Sequence, residues 1–395
     1  GIRDCACLVG SEMCIRDRSM LVGIIAMIGS FLVGTLGKDY LISVNAQMYG
    51  WTPTYSYSIT DSDFQDSIKM EEFFYKIREI DDCVTITFDM RENIRFAPII
   101  SVSSLQGAAN DIYKKVVPVD VVLTTTAYNK IYNLPMSSGS WFSYSETEKS
   151  LCMVVNKEAE SYFNTPYAVG NTDSSLSLTP FNVTGTVNDG KDIPTVYLDA
   201  QAVEEFLPNM WQVQNASVYW HLTKGLTTNQ MYSSLDDILQ DTIGGHIEYS
   251  GRSDIGDAYD SVLSMLQLGL LITSFLLLFV SVLGQINIGL SSLEQRTYEL
   301  LIRRAIGASR INIVALVLGT QLVISIFVCI VSILLSILIV EGIGIFLPPD
   351  TPVASPAYPF FSAVVAVVAS VTVALLGGLL PALKAAKLEP ALALR

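Results

Sequence analysis

Four long uncharged runs of mainly apolar residues divide the chain. They cover residues 19–37, 261–292, 311–340 and 358–383. About 20 apolar residues cross a bilayer as an α-helix, so each run predicts one membrane span, the second ending near residue 286. One such run could equally form a buried core helix, but four in one chain favour an α-helical membrane protein with four transmembrane helices.

The composition supports a membrane protein with one polar domain. Half of the residues are hydrophobic and 16% are charged, whereas soluble domains average about 25% charged residues. The net charge is −14, from 24 Lys and Arg against 38 Asp and Glu. Most of the acidic residues fall in the long polar block 38–260. We therefore expect this block to form a domain with its stalk, inserted between transmembrane helices 1 and 2.

Lysine and arginine are unevenly distributed among the segments that join the runs. The link 287–310 and the tail 384–395 are basic, and the link 341–357 carries no base. Because cytoplasmic loops of membrane proteins carry the excess of Lys and Arg, both basic segments are predicted to be cytoplasmic. The block 38–260 and the 341–357 loop then lie outside, and the N-terminus lies inside. The predicted location is the cell membrane, crossed several times.

Strands are predicted in the outer block from alternation of apolar and polar residues at period two. The alternation is clearest at 84–88 and 181–187. Short β-branched runs give further candidates at 117–123, 154–155, 195–198 and 217–222. The block is therefore rich in strands.

Helical signals lie between these strands. Asp199 can cap a helix over 200–206, and Thr227 with Gln230 forms a capping-box pattern for a helix over 228–242. Mixed helix and strand signals predict an α+β extracytoplasmic domain. The predicted fold class is thus four transmembrane helices plus an α+β domain between the first two.

The stretch GTVNDGKD at 185–192 is one residue away from the phosphate-binding pattern G-x-x-x-x-G-K-[ST]. A working phosphate loop needs a Ser or Thr hydroxyl for Mg²⁺ and opens a helix. Here Asp192 replaces the hydroxyl, and Pro194 favours extended backbone at the residue before it. Asn-Asp-Gly is a turn signature. We predict a hairpin turn between two strands and no nucleotide site.

The chain offers little catalytic chemistry. Its two histidines, His221 in a strand pattern and His246 after a glycine pair, match no metal-ligand spacing, and no G-x-S-x-G elbow is present. We expect no cofactor, no metal and no nucleic-acid partner. The four runs contain no Asp, Glu, Lys, Arg or His, which argues against an ion relay. Gln267, Gln285 and Gln321 are best explained by hydrogen bonds between helices.

Energy must then come from a partner, and the segment 293–310 is the candidate contact. Leu293, Leu300, Leu301 and Ala305 recur at helical spacing. Glu299 precedes Arg303 by four residues, the favourable order for an ion pair on a helix, and Gly307 supplies a stop. We predict a short amphipathic helix at the cytoplasmic interface. It either binds a partner or only anchors the protein by its positive charge.

Residues 1–18 stand apart from the rest. They show no helical or strand periodicity and hold three of the six cysteines. CLVGSEMCIRDR resembles translated sequencing-adapter sequence, so we expect 1–18 to be non-native, although a lipid-carrying or metal-binding cysteine is an alternative. Cys83 and Cys152 could pair outside, but two cysteines make no framework, and free thiols are favoured, as for Cys329.

Two segments resemble the FtsX/MacB-like family of ABC transporter permeases. EQRTYELLIRRAIGASR at 294–310 is similar to the family's cytoplasmic loop, and GLLPALKAAKLEPALALR at 378–395 is similar to its C-terminal motif. SGSWF at 138–142 and FNVTGTV at 181–187 resemble shorter patterns of the family's outer domain. Leu300 and Leu301 stand where the family often has Ile-Gly. A longer permease of two halves, with this chain as its second half, also fits.

The resemblance implies a permease without its own ATPase site. A separate cytoplasmic ABC ATPase would drive it, and a second permease would complete a homodimer or heterodimer. It implies export or extraction of a drug, peptide or lipoprotein, with an extracytoplasmic adaptor; the alternative is mechanotransmission, which regulates a cell-wall hydrolase or senses a peptide. An anchored outer enzyme is a third interpretation.

The residues that the resemblance assigns fall into two sets. The ATPase-coupling set is Glu294, Arg296, Glu299, Arg303, Arg304, Gly307, Ala308, Ser309 and Arg310, and the tail set is Pro381, Ala385, Lys387, Pro390, Leu394 and Arg395.

Overall fold

A computed structural model describes most of the chain and divides it into two compact units. It describes residues 2–60, 62–80, 83–91, 94–99, 116–143, 150–163, 167–171, 178–222, 225–254, 256–353 and 357–387. The membrane unit contains Gly1–Asp39, Ser261–Leu347 and Ser355–Arg395, and the outer unit contains Tyr40–Asp260 and Pro348–Ala354.

The helices and strands of the described residues are numbered in chain order. They are α1 (Ile2–Tyr49), β1 (Thr54–Thr60), α2 (Ser67–Ile80), β2 (Val84–Met90), β3 (Arg95–Ile99), β4 (Asp120–Thr124), α3 (Tyr128–Ile131), β5 (Met136–Gly139), β6 (Cys152–Asn156), α4 (Lys157–Glu160), β7 (Tyr167–Asn171), β8 (Leu178–Val187), β9 (Thr195–Asp199), α5 (Ala200–Phe206), β10 (Val213–His221), α6 (Thr228–Asp241), β11 (His246–Arg252), α7 (Gly256–Ala305), α8 (Arg310–Phe346) and α9 (Phe360–Ala386).

Four helices are long and apolar enough to cross a membrane. They are Val22–Tyr49 within α1, Asp260–Ala305 within α7, and the whole of α8 and α9. Each overlaps one of the uncharged runs, and a domain with a mixed sheet lies between the first two in the chain. The predicted fold class, four transmembrane helices with an inserted domain of helices and strands, is confirmed.

Two helices differ from what the sequence pattern suggests. The segment 293–310 is not a separate short helix, because α7 runs without interruption from the second span to Ala305. No proline lies between the span and the charged segment, so nothing stops the helix there. Helix α1 starts at Ile2 and therefore includes residues 2–18, for which the sequence shows no helical period.

The core of the membrane unit depends on small side chains. The face that α9 turns inward carries Ala366, Ala374, Gly377 and Gly378 among its buried residues. Larger buried side chains from α1 and α8, such as Ile24 and the free Cys329, complete the cluster. Small residues let helix backbones approach closely, which is how helices gain packing energy inside a membrane.

The closest approaches surround a buried pair of amides. A methyl group added at Gly377 would meet Gln285 Cγ at 2.5 Å, and one added at Gly289 would meet the ring of Pro381 at 2.7 Å. Gln285 Nε2 donates to Gln321 Oε1 at 2.9 Å, and both side chains are buried. An unpaired amide in hydrocarbon would cost several kcal/mol, so pairing fixes α7 against α8. The expected hydrogen bond between helices is confirmed for these two glutamines, whereas Gln267 is exposed.

The outer unit is built on one mixed sheet. The strand order is β11-β1-β10-β2-β4-β9-β6-β8-β7-β3, and β5 pairs with β8. Most neighbours are antiparallel, while β4 pairs with β9 and β6 pairs with β8 in parallel. The two sequence segments with the clearest alternation, 84–88 and 181–187, lie in β2 and β8 respectively. Helices α2, α5 and α6 cover the sheet with side chains such as Phe73, Val203 and Leu235.

Local helix signals are confirmed in this unit. Asp199 caps α5 by accepting a hydrogen bond from the Gln201 amide, and Thr227 and Gln230 form the complete capping box of α6. Cys83 and Cys152 are thiols and are not joined in a disulfide, as expected. His246, which follows the glycine pair, is the first residue of β11.

The stretch 185–192 is a turn, but the prediction of a hairpin is wrong. It joins β8 to β9, and β6 lies between these two strands in the sheet. Asp189 is buried in the turn and accepts hydrogen bonds from the Tyr197 hydroxyl at 2.7 Å and from Asn156 Nδ2 at 3.2 Å. Burial raises the pKa of the Tyr197 phenol well above its ordinary value, so the hydroxyl stays protonated and donates.

The glycine contacts of the membrane unit lead to a stability prediction. Gly377→Ala should lower the free energy of unfolding by about 1–3 kcal/mol, because the new methyl displaces Gln285 from its bond to Gln321. Thermal unfolding of the full chain in detergent micelles measures this.

Gly269→Ala is the matched control, since nothing lies within 4 Å of a methyl group added there. It should be neutral or stabilising by up to about 1 kcal/mol, because alanine favours the helix. Equal melting shifts for the two variants would contradict the packing account.

Candidate functional site

The C-terminal end of α7 carries buried leucines on one side and exposed charges on the other. Leu293, Leu300 and Leu301 are buried, as their helical spacing predicts, whereas Ala305 is exposed. The exposed charges are Glu294, Arg296, Glu299 and Arg303. The last three turns of the helix therefore present an ionic surface that is backed by packed apolar side chains.

A tight turn joins α7 to α8. Gly307 adopts a φ of +109°, a backbone conformation that favours glycine, and the amide of Ala308 donates to the Arg303 carbonyl at 3.1 Å. Ser309 then caps α8 by accepting from the Asn312 amide at 3.2 Å. Gly307 and Ser309 thus have defined roles in the backbone, and Arg310 is the exposed first residue of α8.

One apolar cluster ties this turn to the end of α9. Leu293 and Leu300 of α7, Ile313 of α8 and Ala385 of α9 are buried together, with Ala308 packed against them. Ile313 and Ala385 are almost completely buried, at 1% and 0% exposure. The ends of three membrane helices around the α7–α8 turn therefore form one packed junction.

Arg304 has a structural contact that the sequence did not indicate. Its Nη1 donates to the carbonyl oxygen of Ala386 at 3.0 Å, and Ala386 is the last residue of α9. The final carbonyls of a helix lack partners in the helix and carry partial negative charge, so a guanidinium there is stabilising. Arg304 caps α9, whereas Arg303 beside it is exposed.

The tail residues have mixed environments. Pro381 and Ala385 are buried on the inward face of α9, and Lys387 is exposed just after the helix. Lys384 approaches Glu294 of α7 to 3.9 Å, but both side chains are largely exposed, so this ion pair contributes little. Pro390, Leu394 and Arg395 lie outside the described residues.

A cavity of about 170 Å³ opens beside the exposed charges. Arg296, Glu299 and Arg303 line it from α7, and Leu316 and Thr320 line it from α8. The sequence pattern identified the charged residues but not the α8 wall, because the two sets lie in separate parts of the chain. The cavity therefore lies between the two helices, next to the ionic surface.

Comparison with known families matches both units. The model of the FtsX-like permease C-terminal domain matches residues 271–390, which include this junction, and the model of the MacB-like periplasmic core domain matches residues 19–238. The second match covers more than half of the chain. The chain belongs to the FtsX/MacB-like permease family. The resemblance seen in the sequence is confirmed.

Individual relatives match the permease over parts of its length. The macrolide export ATP-binding/permease protein MacB of Mannheimia succiniciproducens is 38% identical over 127 residues, which are 32% of this chain and 19% of the relative. The chain thus aligns with about a fifth of that protein.

Two solved structures of outer domains are similar at low identity. The periplasmic region of MacB from Actinobacillus actinomycetemcomitans gives a TM-score of 0.35 at 12% identity and covers 54% of this chain and 93% of that one. The extracellular domain of the noncanonic ABC-type transporter YknZ from Gram-positive bacteria gives a TM-score of 0.32 at 9% identity. That match covers 49% of this chain and 100% of the YknZ domain. Family membership therefore rests on the family models.

Membership defines the broad role of this permease. It is a multi-pass membrane protein with an extracytoplasmic domain, and its family supports the role of an ABC transporter permease subunit.

The Arg304 contact can be separated from the ionic surface by mutation. Arg304→Ala should loosen the last turn of α9 by about 1 kcal/mol, which is a roughly fivefold rise in amide exchange at 384–387. Hydrogen exchange of the full chain in nanodiscs measures this. Arg303→Ala is the control, because it removes the neighbouring arginine, which is exposed and does not cap α9. It should leave amide exchange at 384–387 unchanged. An equal rise in both variants would contradict the capping role of Arg304.

Proposed function

We propose that this chain is a permease subunit that couples ATP hydrolysis by a cytoplasmic ABC ATPase on a separate chain to movement of the outer unit, and so exports or extracts a drug, peptide or lipoprotein. The packed junction of α7, α8 and α9 is the observation that carries the proposal. A protein bound to the α7–α8 turn acts on three membrane helices at once, because their inner ends share the cluster of Leu293, Leu300, Ile313 and Ala385.

The exposed charges of α7 form the proposed docking surface. Arg296, Glu299 and Arg303 line a cavity between α7 and α8. We expect a side chain of the ABC ATPase to insert there. Arg304 holds α9 and contributes to docking through the position of that helix rather than by direct contact. The interpretation of this segment as an anchor only is disfavoured, since an anchor needs positive charge but no cavity and no cluster across three helices.

The proposed transport does not need an ionic path through the spans. The four uncharged runs hold no Asp, Glu, Lys, Arg or His, and the buried Gln285 and Gln321 satisfy one another. Work done at the inner surface would then reach the substrate through movement of the outer unit. The relative's printed role in macrolide export supports a drug among the three substrate classes.

A second permease is proposed to pack against α7. In one chain, only 6% of the most apolar stretch of the second span is buried. The corresponding shares are 33% for α8 and 39% for α9. Leu271, Phe275 and Phe279 are among the large apolar side chains that α7 leaves exposed. Apolar side chains at membrane depth suit lipid as well as protein, and the family resemblance favours a homodimer or heterodimer as occupant.

The docking surface gives a direct test. Arg303→Glu should weaken retention of the ABC ATPase on the immobilised full chain by about tenfold or more, since a close charge pair across an interface is worth 1.4 kcal/mol or more. ATP hydrolysis by the reconstituted complex should fall with it.

Arg95→Glu is the matched control, because it makes the same charge change at an exposed position of strand β3 in the outer unit. It should leave retention and hydrolysis at the wild-type level. Normal docking of the Arg303→Glu protein would show that the ionic surface is an anchor and that the ATPase binds elsewhere.

The proposed orientation is tested by cysteine labelling. Tyr249 and Ile306 are exposed in the outer unit and in the α7–α8 turn, at 66% and 82%. In a background with the six native cysteines replaced by serine, a cysteine at 249 should react with an impermeant maleimide in intact cells, after permeabilisation of any outer membrane. A cysteine at 306 should react only after lysis, and the reverse pattern would overturn the orientation.

A further inference from the structure

Two asparagines of the outer unit each bind the same two segments of chain. Asn133 Nδ2 donates to the carbonyl oxygens of Ser43 and Pro352, both at 3.1 Å. The backbone carbonyl of Asn188 accepts from Gln47 Nε2 at 2.9 Å, and its side-chain amide donates to the Asp350 carbonyl at 2.8 Å. Ser43 and Gln47 lie in the last turns of α1. Asp350 and Pro352 lie in the loop 348–354, which connects α8 to α9.

The α1 side of this arrangement is a firm helix end. Ser43, Ala46 and Gln47 are buried within the outer unit. The Ala46 carbonyl accepts from the amides of Gly50 at 3.1 Å and Asn133 at 3.2 Å. Thus Asn133 contacts α1 through its side chain and through its backbone.

The loop side is held by an ionic contact. Asp350 is 6% exposed, and its carboxylate accepts from Ser137 Oγ at 2.7 Å and pairs with Lys157 Nζ. The hydrogen bond from Lys157, and then that from Ser137, lower the pKa of Asp350 below its ordinary value. The carboxylate is therefore ionised at neutral pH, and the loop has a fixed anchor on α4 and β5.

The turn that carries Asn188 is held in place by hydrogen bonds to neighbouring residues of the outer unit. The Asn188 amide donates to the Pro135 carbonyl at 2.9 Å, and the next residue, Asp189, is buried and held by Tyr197. Gly190 has a φ of +68°, and a methyl group added there would lie 3.1 Å from Gln47 Oε1. The stretch that mimics a phosphate loop in the sequence therefore receives a helix side chain.

We infer that Asn133 and Asn188 are positioning residues that join the outer end of span one to the loop between spans three and four, so that these spans move the outer unit together. The four residues that they hold, Ser43, Gln47, Asp350 and Pro352, form with them what we call the asparagine clasp. The inference rests on the proposed function, because it assigns the outer-side connection through which movement of the spans reaches the outer unit.

Hydrogen bonds suit this role because they are made or broken rather than stretched. A contact between apolar faces would let two segments slide, whereas a partly buried amide that loses its carbonyl partner costs free energy. With the clasp formed, a shift of α1 is transmitted to the α8–α9 loop through the hydrogen bonds of Asn188 and Asn133. Without it, either segment is free to move while the sheet stays behind.

The first arm of the test uses the full chain alone in nanodiscs. Asn133→Ala with Asn188→Ala removes both side-chain bonds to the loop and the Asn133 side-chain bond to Ser43, while the Asn188 carbonyl still accepts from Gln47. It should raise amide exchange by about tenfold at 350–353 and by a smaller factor at 43–50, with β6 and β9 unchanged. Lys157→Ala with Ser137→Ala removes only the loop anchor, and it should raise exchange at 43–50 as well. Asn215→Ala, at an exposed position of β10, is the matched control and should change neither segment.

The second arm uses the complex with the ABC ATPase. ATP with vanadate should alter exchange in the outer unit of the wild type, and the double asparagine variant should lose that response while it keeps ATP hydrolysis within about twofold. A passive structural role predicts looser segments with the vanadate response intact, and that result would overturn the inference. So would unchanged exchange at 43–50 when the loop anchor is removed.

The two arms separate this inference from the proposed function. If the wild type binds no ATPase, the proposed function fails, while the first arm still reports whether the clasp joins the two segments. If the ATPase binds and drives a vanadate response that the double variant retains, the proposed function stands and the clasp inference fails.

Discussion

The membrane unit depends on one constraint, the close approach of backbones at glycines around a buried amide pair. Gly289 accommodates Pro381, Gly377 accommodates Gln285, and Gln285 then reaches Gln321. A side chain at either glycine would push the helices apart and strand an amide in hydrocarbon, where no water replaces the lost bond. Since this contact sets the spacing of α7, α8 and α9, it also determines where their ends meet at the α7–α8 turn. The junction with its exposed arginines is a consequence of packing that lies deeper in the same helices.

The same physical rule operates in the outer unit with different residues. Asn133 and Asn188 are partly buried and Asp350 is buried, and each has partners at hydrogen-bonding distance. Such contacts have few alternative arrangements, because a partly paired group costs more than an apolar one. Elements joined by such hydrogen bonds move together as one rigid group. Relative movement then occurs between groups that lack these bonds. A transporter that acts by movement of its outer unit needs this division between rigid elements and joints.

What the sequence predicted correctly was mostly local. The four spans, the strand at 84–88 and the capping box of Thr227 depend on residues within one element, so periodicity and composition identify them. Arg304 was assigned to a partner because its contact, the carbonyl of Ala386, lies at the far end of the chain. The hairpin at 185–192 was predicted because the insertion of β6 between β8 and β9 leaves no trace in either strand. Asn133 is inconspicuous in the sequence, since its partners come from α1 and from residue 352.

The strand order of the outer sheet has a consequence for how the protein is made. Among the described residues, strand β1, the first to be synthesised, pairs with β10 and β11, near the other end of the polar block. Loop closure over that distance precedes any gain from pairing. The edge of the sheet therefore forms only after Arg252 has been synthesised, and α7 begins at Gly256. The outer unit also contains Pro348–Ala354, which follow the third span in the chain. Its sheet is thus paired early, whereas the unit is complete only after two further membrane helices have been made.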